Sequence, residues 1–134
     1  MSSNIREQYV SQFNTAMGQA VDVPYNMHLL NLRMRLIKEE VAELEEEVAK
    51  AKYQSGEYTN VLPDTKEAIL KELCDLMYVV SGFAVTFGLP VQPAFVRVHK
   101  SNMSKLVDGK PVLDEGGKVM KGPNYQKPDL SDLV

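Results

Sequence analysis

Residues 36–48 read Leu36-Ile-Lys-Glu-Glu-Val-Ala-Glu-Leu-Glu-Glu-Glu-Val48, and residues 70–79 read Leu70-Lys-Glu-Leu-Cys-Asp-Leu-Met-Tyr-Val79. Each stretch carries two acids at spacing i, i+3, so on a helix both acids of a pair leave the same side. On a wheel of 100° per residue, apolar neighbours flank Glu40 within roughly 80°. They are Leu36, Ile37, Leu44 and Val48. The first pair therefore lies on an apolar stripe, with Glu43 at its edge.

The second pair shows the same conflict between charge and apolar surroundings. Glu72 is flanked on the helical wheel by Ala68, Ile69, Leu76, Val79, Val80 and Phe83. Ionised carboxylates on a core-facing stripe are unfavourable unless a cation meets them. Two such helices facing each other would converge four acids into one buried, oxygen-rich site. Such a site suits hard divalent cations, most simply Mg²⁺, and lacks the histidine or cysteine set that zinc prefers.

Length and composition set the class of protein. The 134 residues contain 44% hydrophobic and 25% charged residues, which is ordinary for one soluble globular domain. The single cysteine excludes an intrachain disulfide and is compatible with a reducing compartment. The amino terminus lacks an apolar signal core, and no run approaches membrane-spanning length. We therefore expect a cytoplasmic protein without a membrane partner.

The charge is unevenly distributed along the chain. Residues 1–96 hold 8 Lys and Arg against 13 Asp and Glu, whereas residues 97–134 hold 7 against 5. An acidic body with a basic carboxy-terminal third argues against a nucleic-acid-binding face across the domain. It suits a small anionic ligand held between metal-loaded acids and a few lysines.

Hydrophobic periodicity predicts an all-α fold, a four- to five-helix bundle with a short C-terminal hairpin and an extended tail. The helical core should cover about residues 3–107 and the tail residues 108–134. The predicted helices are about 3–18, 26–54, 64–87 and 91–106, with breaks at Ser55-Gly56 and from Asn60 to Pro63. Asp64 and Glu67 form a capping-box pattern at the third helix, which should end at Gly88. Residues 110–113 and 118–121 flank the turn sequence Asp-Glu-Gly-Gly and predict the hairpin.

The third predicted helix is apolar nearly all round. Met77, Tyr78 and Val85 lie away from the face that carries the acids. A helix whose opposite face is exposed to solvent would carry polar residues there, so a second buried surface is expected. We interpret this surface as a subunit interface; the alternative is that the first or fourth helix covers it.

The chemistry of the acids indicates a substrate class. Divalent ions in a carboxylate cluster bind substrate phosphates, polarise a phosphoryl oxygen and activate a bound water. The natural reaction is hydrolysis of a phosphoanhydride in a polyphosphate. A carboxylate at the edge, Glu39 or Glu47, is a candidate to orient the attacking water. Asn102 and Lys105, one turn apart on the fourth predicted helix, are suited to phosphate oxygens.

These motifs resemble a known signature. Glu40-Val-Ala-Glu43, then 28 intervening residues, then Glu72-Leu-Cys-Asp75, is similar to the ExxE…ExxD signature of the all-α NTP pyrophosphatase superfamily. This superfamily contains MazG, dimeric dUTPases and phosphoribosyl-ATP pyrophosphohydrolase-like proteins. The doubled acid at residues 39–40, the continuation over residues 75–79 and the segment Val98-His-Lys-Ser-Asn-Met-Ser-Lys105 resemble the MazG-like branch most closely. The similarity covers about residues 26–128.

The resemblance implies a single nucleotide pyrophosphohydrolase domain over residues 1–134. Its activity would convert a (d)NTP to the monophosphate and pyrophosphate, in nucleotide-pool control or dNTP supply. It also implies assembly as a homodimer or a dimer of dimers. The implied metal is Mg²⁺, with two or more ions per site and Mn²⁺ as a substitute. Its implied ligands are Glu40, Glu43, Glu72 and Asp75. The implied substrate contacts are Asn102 and Lys105 at phosphate or sugar, and Asn124 and Tyr125 over the base, whose identity the signature does not carry.

Other interpretations of the same residues remain open at this point. The run from Glu39 to Glu47 is also what a solvated, salt-bridged helix face would show. For Glu72 and Asp75, the alternative is a structural ion pair in which Arg33 or Arg35 neutralises them. The alternative function is a non-catalytic helical interaction module that offers the acidic helix to a basic partner. A coiled-coil seam of that kind should be free of acids, and the two acid pairs violate this.

Overall fold

The computed structural model describes residues 4–55 and 61–134, with the backbone alone at 54–55. It confirms the all-α class, because four α-helices and no β-strand are found among these residues. The helices are α1 Ile5–Ala16, α2 Met27–Ser55, α3 Pro63–Thr86 and α4 Val91–Met103, followed by a 3₁₀ turn at Ser131–Leu133. The predicted helix start at Ser3 and the predicted breaks at Gly56 and Asn60 lie outside the described residues.

The chain divides into two compact units, Met1–Leu89 and Pro90–Val134, which we call the first and second unit. The first unit contains α1, α2 and α3, and both α1 and α2 pack against α3. The second unit contains α4 and everything after it. Helix α4 therefore belongs to the same compact unit as the tail that follows it.

Helices α2 and α3 form the antiparallel pair on which the first unit is built. Arg33 of α2 lies beside Gly82 of α3, and ten residues later Glu43 meets Glu72, so numbers rise along one helix as they fall along the other. Gly82 makes room for the guanidinium, since a Cβ there would lie 3.0 Å from Nη1 of Arg33. Asn26 caps α2 by accepting the Leu29 backbone N–H at 2.9 Å.

Helix α1 buries a different face from the one that its apolar residues suggest. Glu7, Val10 and Asn14 are the buried positions. The Ser81 hydroxyl donates to Oε2 of Glu7 at 2.6 Å, so this seam against α3 is partly polar. Of the apolar residues at helical spacing, Val10 is buried, whereas Ile5, Tyr9 and Phe13 on α1 and Met17 just beyond it remain exposed.

The predicted N-cap of the third helix is wrong. Asp64 lies inside the first turn of α3, and Leu62 is the N-cap, with extended backbone and no side-chain hydrogen bond to the helix. Pro63 decides the start, because its ring presets a helical φ at the first position and biases the preceding residue toward extended backbone. Asp64 still favours the helix through its charge near the positive end of the dipole.

The end of α3 agrees with the expected stop at Gly88. Gly88 has a φ of +62°, and a Cβ at this position would overlap the Asp22 carboxylate. The connection between α1 and α2 passes here, with the Asp22 and Val23 N–H groups donating to the carbonyls of Val85 and Thr86. A residue without a side chain is therefore required where this connection crosses the helix end.

Helix α4 ends three residues earlier than expected, at Met103, so Lys105 and Leu106 lie beyond it. After the helix the predicted hairpin forms as a single bridge between Leu113 and Val119 rather than as strands. The Asp114 carboxylate closes its turn by accepting the N–H groups of Gly116 and Lys118.

The apolar back of α3 is covered only in part. The Phe13 ring of α1 meets the Tyr78 ring edge-on at 5.5 Å, which supports the alternative that the first helix covers this side. Met77 and Tyr78 nevertheless remain exposed in the single chain, as do Leu70 and Leu73 of the same helix. Val80, which the helical wheel placed beside Glu72 on the core-facing stripe, is exposed as well. Among the described residues no single helix is long and apolar enough to cross a membrane, and only α3 and α4 taken together pass, by length and composition alone.

Gly88→Ala should destabilise the protein more than Gly109→Ala. Both glycines have positive φ, at +62° and +74°, but only Gly88 faces Asp22, whereas no atom lies within 4 Å of a Cβ at Gly109. The backbone cost alone is about 1–2 kcal/mol for a residue with a Cβ. Urea unfolding of both variants, each followed by a probe in its own unit, measures the difference. Equal losses would show that the approach of Asp22 adds no constraint.

Candidate active site

The four predicted acids converge. Glu40 and Glu43 on α2 and Glu72 and Asp75 on α3 each offer one carboxylate oxygen, and these four oxygens lie within 4.8 Å of one another. The spacing explains the geometry: i, i+3 pairs share a helix face, and the antiparallel pairing sets the two faces opposite each other. No histidine or cysteine belongs to this group.

The cluster lies at the margin of the helix pair, not deep in a core. Glu40, Glu72 and Asp75 are partly buried and Glu43 is exposed. The Glu72 side chain is 12% exposed and that of Asp75 is 36% exposed. Oε2 of Glu40 and Oε2 of Glu72 are buried without a hydrogen-bond partner. Buried carboxylate oxygens normally have a partner, so these two are free acceptors that fit a hard cation.

Electrostatics single out Glu40 within the cluster. Burial raises the pKa of Glu40, and the charges of Glu43 and Asp75 raise it further, with a smaller effect from Glu72. Both causes disfavour the ionised form, because the carboxylate loses water and gains like-charged neighbours. The site is therefore electrostatically unfavourable for acids alone.

Lys71 brings a cation to the acids that the sequence interpretation missed. Its ammonium lies 2.6 Å from Oδ2 of Asp75 and 3.3 Å from Oε1 of Glu72. Hydrogen bonds to Asp75 and then Glu72 raise the pKa of Lys71. The i, i+4 spacing of Lys71 and Asp75 is the signal that would have found it.

Arg33 and Arg35 of α2 do not form ion pairs with the acids of α3 among the described residues. Among the described residues, Arg35 approaches Glu39 at 3.9 Å and Arg33 donates to Oε1 of Gln19 at 3.1 Å. Arg33 is only 5% exposed, and burial lowers the pKa of its guanidinium. No ion pair joins these arginines to Glu72 or Asp75 in the described part of the chain, so the alternative of a structural ion pair is not supported.

The two candidates for orienting water lie outside the four-acid group. Glu39 is exposed, next to Glu40 on α2, and its Oε1 lies 3.9 Å from Nε of the exposed Arg35. Glu47 is partly buried, and its Oε1 accepts from Nζ of Lys50 at 2.9 Å. Glu39 thus retains a freer carboxylate than Glu47.

The predicted substrate contacts all belong to the second unit. The Lys105 N–H donates to the Asn102 carbonyl at 3.2 Å, in the turn that follows α4. Nδ2 of Asn124 donates to the Leu106 carbonyl at 3.3 Å, and Nζ of Lys121 lies 4.9 Å from the Tyr125 ring centroid. The tail therefore folds back on the end of α4, and the contacts of these side chains with a nucleotide remain a prediction.

A cavity of about 190 Å³ also lies in the second unit. Residues of α4 and the tail line it, three of them basic: Arg97, Lys100, Ser101, Gln126, Lys127, Pro128 and Asp129. Arg97 is already engaged, since its guanidinium makes a two-pronged ion pair with Asp132.

Comparison with known proteins agrees with the geometry of the acids. The family model described as phosphoribosyl-ATP pyrophosphohydrolase matches residues 7–102, which include all four acids and α4 up to Asn102. A search of the curated proteins found no match for this chain. Because the family model spans most of the chain, this protein belongs to the phosphoribosyl-ATP pyrophosphohydrolase family, within the MazG-like all-α NTP pyrophosphatase superfamily, and is by that membership a nucleotide pyrophosphohydrolase.

Proposed function

We propose that this protein is a Mg²⁺-dependent pyrophosphohydrolase that converts a (d)NTP to the (d)NMP and pyrophosphate. The observation that carries the proposal is the convergence of four carboxylate oxygens within 4.8 Å, contributed by two helices. Family membership supports the reaction type, hydrolysis of a nucleotide phosphoanhydride. The choice of substrate rests on the resemblance of the acid signature to the MazG-like branch.

The four acids are the proposed metal ligands. Glu40 and Glu72 each hold one buried oxygen without a partner, which is the feature that a bound Mg²⁺ or Mn²⁺ would satisfy. We propose two or more ions per site, since four carboxylates exceed the charge of one divalent cation. Bound there, the ions supply polarisation of a phosphoryl oxygen and a bound water of lowered pKa.

The remaining chemistry belongs to the chain. Glu39 is the proposed group that orients the attacking water and accepts its proton, because its carboxylate is exposed and only weakly engaged by Arg35. Glu47 suits this role less well, since Lys50 already holds one of its oxygens. Asn102 and Lys105 are proposed to contact phosphate or sugar, and Asn124 and Tyr125 the base.

We also propose that the protein acts as a homodimer or a dimer of dimers in the cytoplasm. The support is the apolar surface that α1 and α3 leave exposed in the single chain. Apolar side chains at helical spacing on both helices are typical of a surface that another helix covers.

Glu40→Gln and Glu72→Gln should each reduce pyrophosphate release to background while the circular dichroism spectrum stays unchanged. Each change removes a charged metal ligand and keeps the side-chain size. Glu45→Gln is the matched control, since Glu45 is an exposed acid on the same helix. Wild-type turnover in either site variant would contradict the assignment of the four acids.

Glu40→Gln should also raise the thermal midpoint of the metal-free protein near neutral pH. The folded state raises the pKa of Glu40, so in wild type its ionisation lowers stability as pH increases above the unfolded-state value. The amide carries no charge and escapes this cost. The gain should shrink in acid, where Glu40 is protonated in both states. A gain independent of pH, or equal in Glu45→Gln, would assign the effect to something other than charge.

A substrate panel tests the nucleotide assignment. We expect one or a few of the dNTPs, dUTP or NTPs to release pyrophosphate and a monophosphate in the presence of Mg²⁺, with none released in excess EDTA. Phosphoribosyl-ATP belongs in the panel because the matching family carries its name. Exclusive cleavage of phosphoribosyl-ATP would refute the (d)NTP proposal, and no cleavage of any nucleotide would favour the interaction-module alternative.

Lys105→Ala should weaken binding of a non-hydrolysable dNTP about tenfold or more, since a hydrogen bond to a charged group contributes about 1.5–3 kcal/mol. Binding of Mn²⁺ without nucleotide should stay at the wild-type level. Lys110→Ala is the control, because Lys110 is an exposed lysine of the same unit that is given no role at the nucleotide. Calorimetry of both ligands measures the two affinities, and equal losses of both would exclude the phosphate role.

A further inference from the structure

A lysine occupies the edge of the acid cluster where the metal would bind. Nζ of Lys71 contacts Oδ2 of Asp75 at 2.6 Å and Oε1 of Glu72 at 3.3 Å. Both residues are proposed metal ligands. We propose that Lys71 is the resident counter-cation of the metal-free site and leaves it when a divalent ion binds, so that Lys71 sets the metal affinity of the enzyme. This inference rests on the proposed metal dependence.

The exchange follows from the charges and the oxygens involved. An ammonium group and a divalent cation repel each other, and they would compete for the same carboxylates of Glu72 and Asp75. The distances leave no ion between Lys71 and these oxygens. A divalent ion on the remaining oxygens of these two carboxylates would lie close to the ammonium, so repulsion between the two cations drives the ammonium away.

Lys71 is built to withdraw without disturbing the fold. Its side chain is 64% exposed, whereas that of Glu72 is 12% exposed. The charge sits on a flexible four-carbon stem, so it can move into water while the backbone of α3 stays in place. Because the side chain is already largely exposed, its departure leaves no buried ammonium behind.

Lys71 also leaves half of the cluster unsatisfied. Its contacts are with the two acids of α3, on its own helix. Oε2 of Glu40 on α2 and Oε2 of Glu72 keep no hydrogen-bond partner. One ammonium thus stabilises the metal-free site only in part, and Glu40 and Glu72 would still offer a metal ion oxygens that Lys71 does not contact.

Lys71→Gln tests the exchange by calorimetric titration of the nucleotide-free protein with Mn²⁺ or Mg²⁺. We expect metal affinity to increase about two- to tenfold, because exposed ion pairs are worth up to about a factor of five each and two are removed. Lys71→Arg should stay near wild type, since it retains the charge. Lys66→Gln is the matched control for net charge, because Lys66 is another exposed lysine of α3.

The metal-free state gives a second readout. In EDTA, Lys71→Gln should lower the thermal midpoint, and the increase on adding Mg²⁺ should be larger than in wild type. A lysine with a merely structural role would lower both midpoints together. Wild-type protein with ¹³C-labelled lysine gives a readout that needs no charge-removing variant: the Lys71 ε-methylene resonance should shift on adding Mg²⁺, and that of Lys66 should not.

The outcomes separate this inference from the proposed function. If wild type binds divalent metal in a manner abolished by Glu40→Gln but Lys71→Gln binds it no more tightly than Lys66→Gln does, the exchange is refuted and the metal site stands. Weaker metal binding by Lys71→Gln, or an unmoved Lys71 resonance, also refutes it. If wild type binds no divalent metal, the metal dependence fails and this inference fails with it.

Discussion

Mutual repulsion among four carboxylates is the constraint around which the first unit is organised. Packing of α2 on α3 forces acids from both helices to within 4.8 Å, at a margin where burial already disfavours their charge. Apolar neighbours on both helices supply the packing free energy that holds this arrangement. Clustered like charges that oppose the packing of two helices are expected mainly at functional sites. The same conflict makes the site receptive to a cation.

The sequence was sufficient for the all-α class and for the convergence of the acids. Both depend on periodicity, because a carboxylate amid apolar residues at helical spacing must face a packed partner. Placing Glu40 and Glu72 on the facing stripes of two consecutive helices therefore predicted their meeting. The family model matches the segment that contains the same four acids, in agreement with the resemblance of their spacing to the superfamily signature.

The sequence did not reveal the start of α3, the contact of Lys71 with the acids or the buried face of α1. In each case two local arrangements fit the sequence about equally well. Asp64 favours a helix that begins after it, whereas Pro63 favours a helix in which it is itself the first residue. The structure has the second start, with Pro63 at the first position of α3. Lys71, like two arginines of α2, was within reach of the acids, and only side-chain geometry distinguishes them. The buried face of α1 was hidden because a hydrogen bond between Glu7 and Ser81 permits polar burial that hydrophobic periodicity does not register.

The notch at Gly82 has a consequence for how accurately the acids are aligned. The guanidinium of Arg33 occupies the space that a side chain at Gly82 would take, two turns of α2 away from Glu40. Sliding one helix past the other by a single turn, about 5.4 Å, would press the bulky cation against a residue with a side chain and part the opposing carboxylates. The axial register of the two helices is thus constrained at a point remote from the four acids, so their alignment does not depend on attraction among the acids themselves.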